Sequence, residues 1–215
     1  MTKKPGHSYT SMKTYDICPL QYWHKRINKT YEEEHTPQIL EGWRIHSAFE
    51  KHLKSREELP RDLFKYYTLL QTVPRPRKVE QKLAVNRKFE PCDWWDKDAH
   101  FRAVLDVVHI ELPGYQGCII DWKTGKVRED TSQLKGNICV VMAHYPLLKL
   151  LDACFVWIKH GKITQIRMER DDYYRYKREM MEKMMEIEAD TEYVPTPSYM
   201  CRWCPAFADC EHAQT

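Results

Sequence analysis

The hydrophobic period of this chain first changes near Val79, from helical spacing to alternation, and that change limits the folds open to it. Upstream, residues 10–26 read as a helix, with Ser11 as its cap and Pro19 restarting it just after Cys18. A second helix over 38–54 carries Ile45, Phe49 and Leu53 on its buried stripe, and a short third lies around 61–70. From there Val79, Gln81, Leu83 and Val85 alternate with Glu80, Lys82 and Ala84, which is the pattern of a strand. His100 to Leu112 and Gly117 to Lys123 are two more strands, joined at Pro113-Gly114. Residues Arg128–Ser132 offer caps for a helix over 132–151, bent near Pro146. Residues 153–159 and 162–168 form a hairpin about His160-Gly161, and a charged helix over 171–189 leads into a proline-spaced tail. The order is helices, three strands, helix, two strands, helix.

At 215 residues the chain suits one domain and can bury a sizeable core. Its 42% hydrophobic and 30% charged residues exclude a disordered or membrane-embedded class, and no apolar run approaches the roughly 20 residues a bilayer requires. The opening residues lack the apolar core of a signal peptide, so the expected place is the cytoplasm, or the host cytoplasm if the source is viral. A net charge of +3 permits a polyanionic partner without demanding one. No phosphate-cradling G-x-x-x-x-G-K-[ST] loop occurs, which argues against an NTP-driven motor.

The chemistry concentrates in Ile119-Ile120-Asp121-Trp122-Lys123. A strand period of two places Asp121 and Lys123 on one face. There the carboxylate suits a hard divalent cation, and the ammonium suits a water or the charge developing on a phosphate. Alone, an Asp-x-Lys triplet is equally an exposed ion pair. The preceding strand sets Asp106 among apolar neighbours, and a buried carboxylate needs a partner. If the two strands pair, Asp106 and Asp121 converge on one cation; the bland alternative is a salt bridge from Asp106 to Arg102 or Lys123. Gly42, His46 and Glu50 are spaced by four and so line one side of a helix, where His46 offers an imidazole and Gly42 lets a neighbouring backbone approach. Glu80 is a further acid for the site or a solvated strand residue. Gln133, at the start of the next helix, either orients a phosphate or the lysine, or caps the helix.

Eight cysteines in a chain of expected reducing surroundings argue for metal binding or burial. Cys118, Cys139 and Cys154 sit in apolar runs and read as core, while Cys92 has no evident partner. Cys201, Cys204 and Cys210 crowd a ten-residue window, which favours a metal. The fourth ligand is Cys18 or His212, and ligand chemistry leaves zinc and a 4Fe–4S cluster both open. Tyr15, Tyr22, Trp23, Lys25 and Arg26 beside Cys18, with Arg202 and Trp203 between the other cysteines, suit either stacking on single-stranded nucleic acid or packing around the cluster.

The succession Gly-x-x-x-His-x-x-x-Glu, a strand Asp, Asp-x-Lys-Thr-Gly and a helical Gln-Leu, over residues 42–134, resembles the RecB-like branch of the PD-(D/E)XK nuclease superfamily. One cysteine before that core and three after it resemble the iron-staple members, the AddB-type and CRISPR-associated Fe–S exonucleases. The resemblance implies an α/β fold: a mixed central β-sheet flanked by helices, with a restriction-endonuclease-like core over about 38–170. The helix 10–26 and segment 190–215 would be joined by a 4Fe–4S cluster on Cys18, Cys201, Cys204 and Cys210. It implies Mg²⁺ or Mn²⁺ held by His46, Asp106, Asp121 and the carbonyl of Trp122, with Asp106, Asp121, Lys123 and Gln133 catalytic and Glu50 and Glu80 accessory. The implied substrate is DNA, single-stranded or with free ends, in recombination, repair or replication, with partner proteins there and no membrane. The sequence departs from the family pattern at Ala103, where a Gly is usual, and at Asn137, where a Tyr is usual. A non-catalytic Fe–S or zinc DNA-binding module, or an accessory subunit of a DNA-processing complex, is the rival expectation.

Overall fold

The computed structural model of the chain describes residues 6–31, 35–113 and 115–213, so the Gly114 half of the expected Pro113-Gly114 turn lies outside the described residues. Six strands make one mixed sheet: β1 Lys78–Val85, β2 Pro91–Cys92, β3 Phe101–Glu111, β4 Gln116–Lys123, β5 Leu150–Trp157 and β6 Lys162–Glu169. Their order is β2-β1-β3-β4-β5-β6. Only β4 and β5 run parallel, because the helix between them carries the chain back across the sheet. Every other neighbouring pair is antiparallel. The helices are α1 Tyr9–Ile17, α2 Pro19–Tyr22, α3 Pro37–Ser55, α4 Tyr67–Gln71, α5 Ser132–His144 and α6 Arg170–Ala189. Among the described residues no helix is long and apolar enough to cross a membrane.

The two sheet faces are covered differently. On one, Leu134, Ile138 and Met142 of α5 and Tyr173 and Met184 of α6 pack on Leu83, Val85, Leu105, Ile119 and Phe155. On the other, Ile45, Phe49 and Leu53 of α3 meet Val107, Trp122 and Val156. The site lies at a defect in this plan. Leu105 packs with α5 and Val107 with α3, although two residues apart in a flat strand share a face. In β1, Leu83 packs with α5 and Val79 beside α3, again against the period. The faces change over at Asp106 and Glu80, which the register sets opposite each other between Val79–Val107 and Gln81–Leu105. Glu80 has φ +51°, a left-handed backbone that bends the strand there.

Four local expectations change. Ser8, not Ser11, caps α1: its side chain accepts from Ser11 N–H, while Ser11 closes the box from the third position. The helix expected over 132–151 ends at His144 instead of bending near Pro146. Tyr145, preceding the proline, is driven out of the helical region at φ −124° and ψ 78°. Tyr15 and Tyr22 are buried with Ile187 and Tyr193 in a small core, which rules them out as stacking surfaces for a base. Trp203 does the opposite of packing around the cysteines, being 62% exposed under the Arg202 guanidinium.

Candidate active site

The kink at Glu80 and Asp106 opens a gap between the two covered faces, and polar groups from five elements meet there. His46 stands on α3 one residue beyond the buried Ile45. Its Nδ1–H donates to Asp106 Oδ1 at 3.2 Å, since a carboxylate can only accept. The other oxygen, Asp106 Oδ2, accepts the Trp122 backbone N–H at 2.7 Å. Asp106 thus needs neither Arg102 nor Lys123. The Arg102 guanidinium instead donates to the carbonyls of Trp94 and Asp96.

The β3–β4 register pairs Val107 with Ile120, so its next step sets Asp106 opposite Asp121. Asp121 is buried, and its Oδ1 lies 2.8 Å from Lys123 Nζ. Lys123 also donates to Gln133 Oε1 at 2.9 Å and lies 4.6 Å from the centre of the Phe155 ring. Gln133 reaches it because Asp130, gripped by Lys13 at 2.8 Å, accepts Ser132 N–H and fixes the first turn of α5. Phe155 sits beside Asp121 in the parallel β4–β5 register. Three contacts, an anion, an amide oxygen and an aromatic face, therefore aim one ammonium.

His46, Glu80 and Asp106 each offer a ligand atom within 4.8 Å of the others. Burial pushes the Glu80 carboxyl up to about 7, with the charges of Asp106 and Glu50 adding to it. Burial also lifts Asp121 to about 6, Lys123 opposing and Asp106 reinforcing. For His46, burial disfavours the charged ring, but the bond to Asp106 and the charges of Asp106, Asp121 and Glu80 prevail and raise its pKa. Acids crowded until they hold protons near neutrality, beside an imidazole, form a hard oxygen-rich donor set that fits a divalent cation.

Most of the residues expected from the sequence gather here: His46, Asp106, Asp121, Lys123, Gln133 and Glu80. Glu50 stays at the rim, paired with Lys54 at 2.7 Å. The Trp122 side chain points away into the core against Phe49, leaving only its backbone at the site. Gly42 admits a side chain rather than a backbone, since a Cβ there would lie 3.2 Å from Thr124 Oγ1. Phe155 was hidden in an apolar run, and only the β4–β5 register reveals it. The four cysteines Cys18, Cys201, Cys204 and Cys210 line a separate cavity, with His212 in the same wall. Thr196 N–H donates to Cys18 Sγ at 3.4 Å and Ser198 N–H to Cys201 Sγ at 3.3 Å.

Three comparisons bear on this geometry. No curated protein matches the sequence. The solved chain in "Crystal structure of SSO0001" aligns over 100% of this chain and 90% of its own, at 11% identity and a TM-score of 0.48. The family model of the PD-(D/E)XK nuclease superfamily matches residues 7–211, nearly the whole sequence. This chain, with its Asp106, its Asp121-Trp-Lys123 strand end and its mixed sheet, belongs to the PD-(D/E)XK nuclease superfamily.

Proposed function

We propose that residues 1–215 act as one nuclease domain that hydrolyses DNA phosphodiester bonds with Mg²⁺ or Mn²⁺, working on single strands or free ends in recombination, repair or replication. The observation that carries this reading is the meeting of His46, Glu80 and Asp106, with Asp121 on the neighbouring strand, beside an ammonium held by Asp121, Gln133 and Phe155. His46, Asp106, Asp121 and the Trp122 carbonyl would hold the cation. In an extended strand a residue's N–H and C=O leave by the same edge, and the Trp122 N–H already faces Asp106. Glu80 and, at the rim, Glu50 would add negative charge. When bound, the cation supplies Lewis acidity toward the phosphate and the attacking water. Lys123 donates toward the water or a non-bridging phosphate oxygen, and Gln133 keeps its ammonium pointed there. The preference for ends rests on the likeness of the motif order to RecB-like exonucleases.

The test is digestion of end-labelled single and double strands with Mn²⁺ by the intact protein, Asp121→Ala and Lys123→Ala. Each variant is expected to lose at least about 100-fold in rate, the scale of one transition-state contact. Undiminished cleavage by either would refute the assignment, and equal attack on circular and linear DNA would refute the preference for ends.

We infer further that Cys18, Cys201, Cys204 and Cys210 bind a 4Fe–4S cluster. Four sulfurs around one cavity, two of them accepting backbone N–H bonds, suit thiolate ligands. Zinc on three cysteines and His212 is the competing occupant. Anaerobic purification followed by iron, sulfide and zinc counts separates the two, with about four irons per chain expected.

A further inference from the structure

A second group of metal-ligating side chains lies outside both sites. His7, His100 and Glu188 each place a ligand atom within 4.8 Å of the others. They come from the segment before α1, the residue before β3 and the last turn of α6. Two backbone bonds lock His7 to the sheet: its N–H donates to His100 O at 2.7 Å, and its carbonyl accepts from Arg102 N–H at 3.0 Å. The ring is 1% exposed, yet neither Nδ1 nor Nε2 has a hydrogen-bond partner. A buried orphan of this kind calls for an explanation, and a bound ion is among the accepted ones.

The spacing distinguishes an ion from a plain hydrogen bond. Glu188 Oε1 stands 3.8 Å from His7 Nε2 and 3.7 Å from His100 Nδ1, too far for direct bonds. A point equidistant from three atoms so spaced lies about 2.0–2.4 Å from each, close to zinc–imidazole and zinc–carboxylate bond lengths of about 2.0–2.2 Å. Arg87 grips both oxygens of Glu188 at 2.6 and 2.7 Å from the solvent side, its side chain 63% exposed. In that grip Arg87 orients the carboxylate as an outer partner. The positive charge of Arg26, also felt at His7, opposes a cation and sets a limit on affinity. A cleft walled by Gly6, Arg87 and His100 lies beside the group.

We propose that His7, His100 and Glu188 form a structural zinc site, completed by water, that ties the N-terminal segment and α6 to the edge of β3. The ligands lie about 90 residues apart in sequence, so the bridge closes two long loops.

The experiment compares the intact protein with His7→Gln, each after anaerobic purification and dialysis against zinc, with metal counted per chain. The intact protein is expected to hold one zinc more than His7→Gln. Zinc at about 100 times its Kd should raise its unfolding midpoint by roughly 5–10 °C, with no response in the variant. Equal zinc content in the two proteins would overturn the proposal. Should His7→Gln fail to fold, zinc-edge X-ray absorption of the intact protein decides. Two imidazoles with oxygen and no sulfur identify this site, because the active site offers one imidazole and the other cavity offers thiolates. A spectrum containing only sulfur-rich or single-imidazole zinc overturns it.

Discussion

The Glu80 carboxylate is held where three negative groups repel one another, on a left-handed backbone that costs on the order of 1–3 kcal/mol for a residue with a side chain. In the absence of metal its pKa of about 7 stands above the ordinary 4.5, so the folded state binds more protons than the unfolded chain between those values. Stability from this group is therefore complete below about pH 4.5 and declines as the pH rises toward 7. Glu80→Gln removes that decline. In EDTA the variant should gain about 1–2 kcal/mol over the intact protein between pH 5 and 8, the value being reduced for partial solvent screening. The opposite trend from His7, whose pKa is depressed, is common to both proteins and cancels in their difference. Urea midpoints at the two pH values check this, and Mn²⁺ should stabilise the intact protein more than the variant. At this scale His46, Asp106, Asp121 and Lys123 were legible because spacings of four and two convert directly into shared faces. The kink at Glu80 and the Phe155 ring under Lys123 were not, because both depend on which strand lies beside which.

Elements were legible where period and length agreed. The helix expected over 38–54 is α3, Pro37–Ser55, and the charged helix expected over 171–189 is α6, Arg170–Ala189. The error over 132–151 came from taking a proline in an apolar stretch for a bend. Pro146 stops α5, but what satisfies that end lies 26 residues beyond His144 in sequence: Arg170 donates to Met142 O at 3.2 Å, Tyr145 O at 2.8 Å and Leu148 O at 2.8 Å. One guanidinium thus satisfies carbonyls that the helix end and the following turn leave open, and no local signal announces it. Arg170→Ala would strand these partly buried acceptors and is expected to cost about 2–4 kcal/mol in urea unfolding. Arg170→Lys should recover little, since a point charge cannot reach three carbonyls in a plane. Because α5 carries Gln133, both variants should also slow cleavage more than they weaken DNA binding.

Across the whole molecule, the chain closes on itself through contacts between its two ends. Tyr15 Oη donates to Asp190 Oδ2 at 2.7 Å, Lys183 reaches Asp16 at 2.8 Å, and Tyr31 Oη donates to Asp209 Oδ2 at 3.1 Å. The cysteine cavity belongs to the same seam, with Cys18 between α1 and α2 facing the tail. Spacing singled out Cys201, Cys204 and Cys210 and the family resemblance added Cys18, but nothing in the sequence hinted at His7, whose partners stand just before β3 and in α6. If a 4Fe–4S cluster joins Cys18 to the tail, it closes a loop of about 180 residues, and loop entropy sets its contribution near 5 kcal/mol. Cys18→Ser should then lower the anaerobic unfolding midpoint by roughly 10–20 °C for a chain of this length. The two sites share no lining residue, so Mn²⁺ affinity at His46 and Asp106, read by calorimetry below the new midpoint, should change less than about twofold, well under the 1.4 kcal/mol of a tenfold change. A variant that loses Mn²⁺ affinity together with its cluster would mean that the cysteines shape the active site directly. A variant with an unchanged midpoint would mean that the polar seam between the two ends suffices without iron.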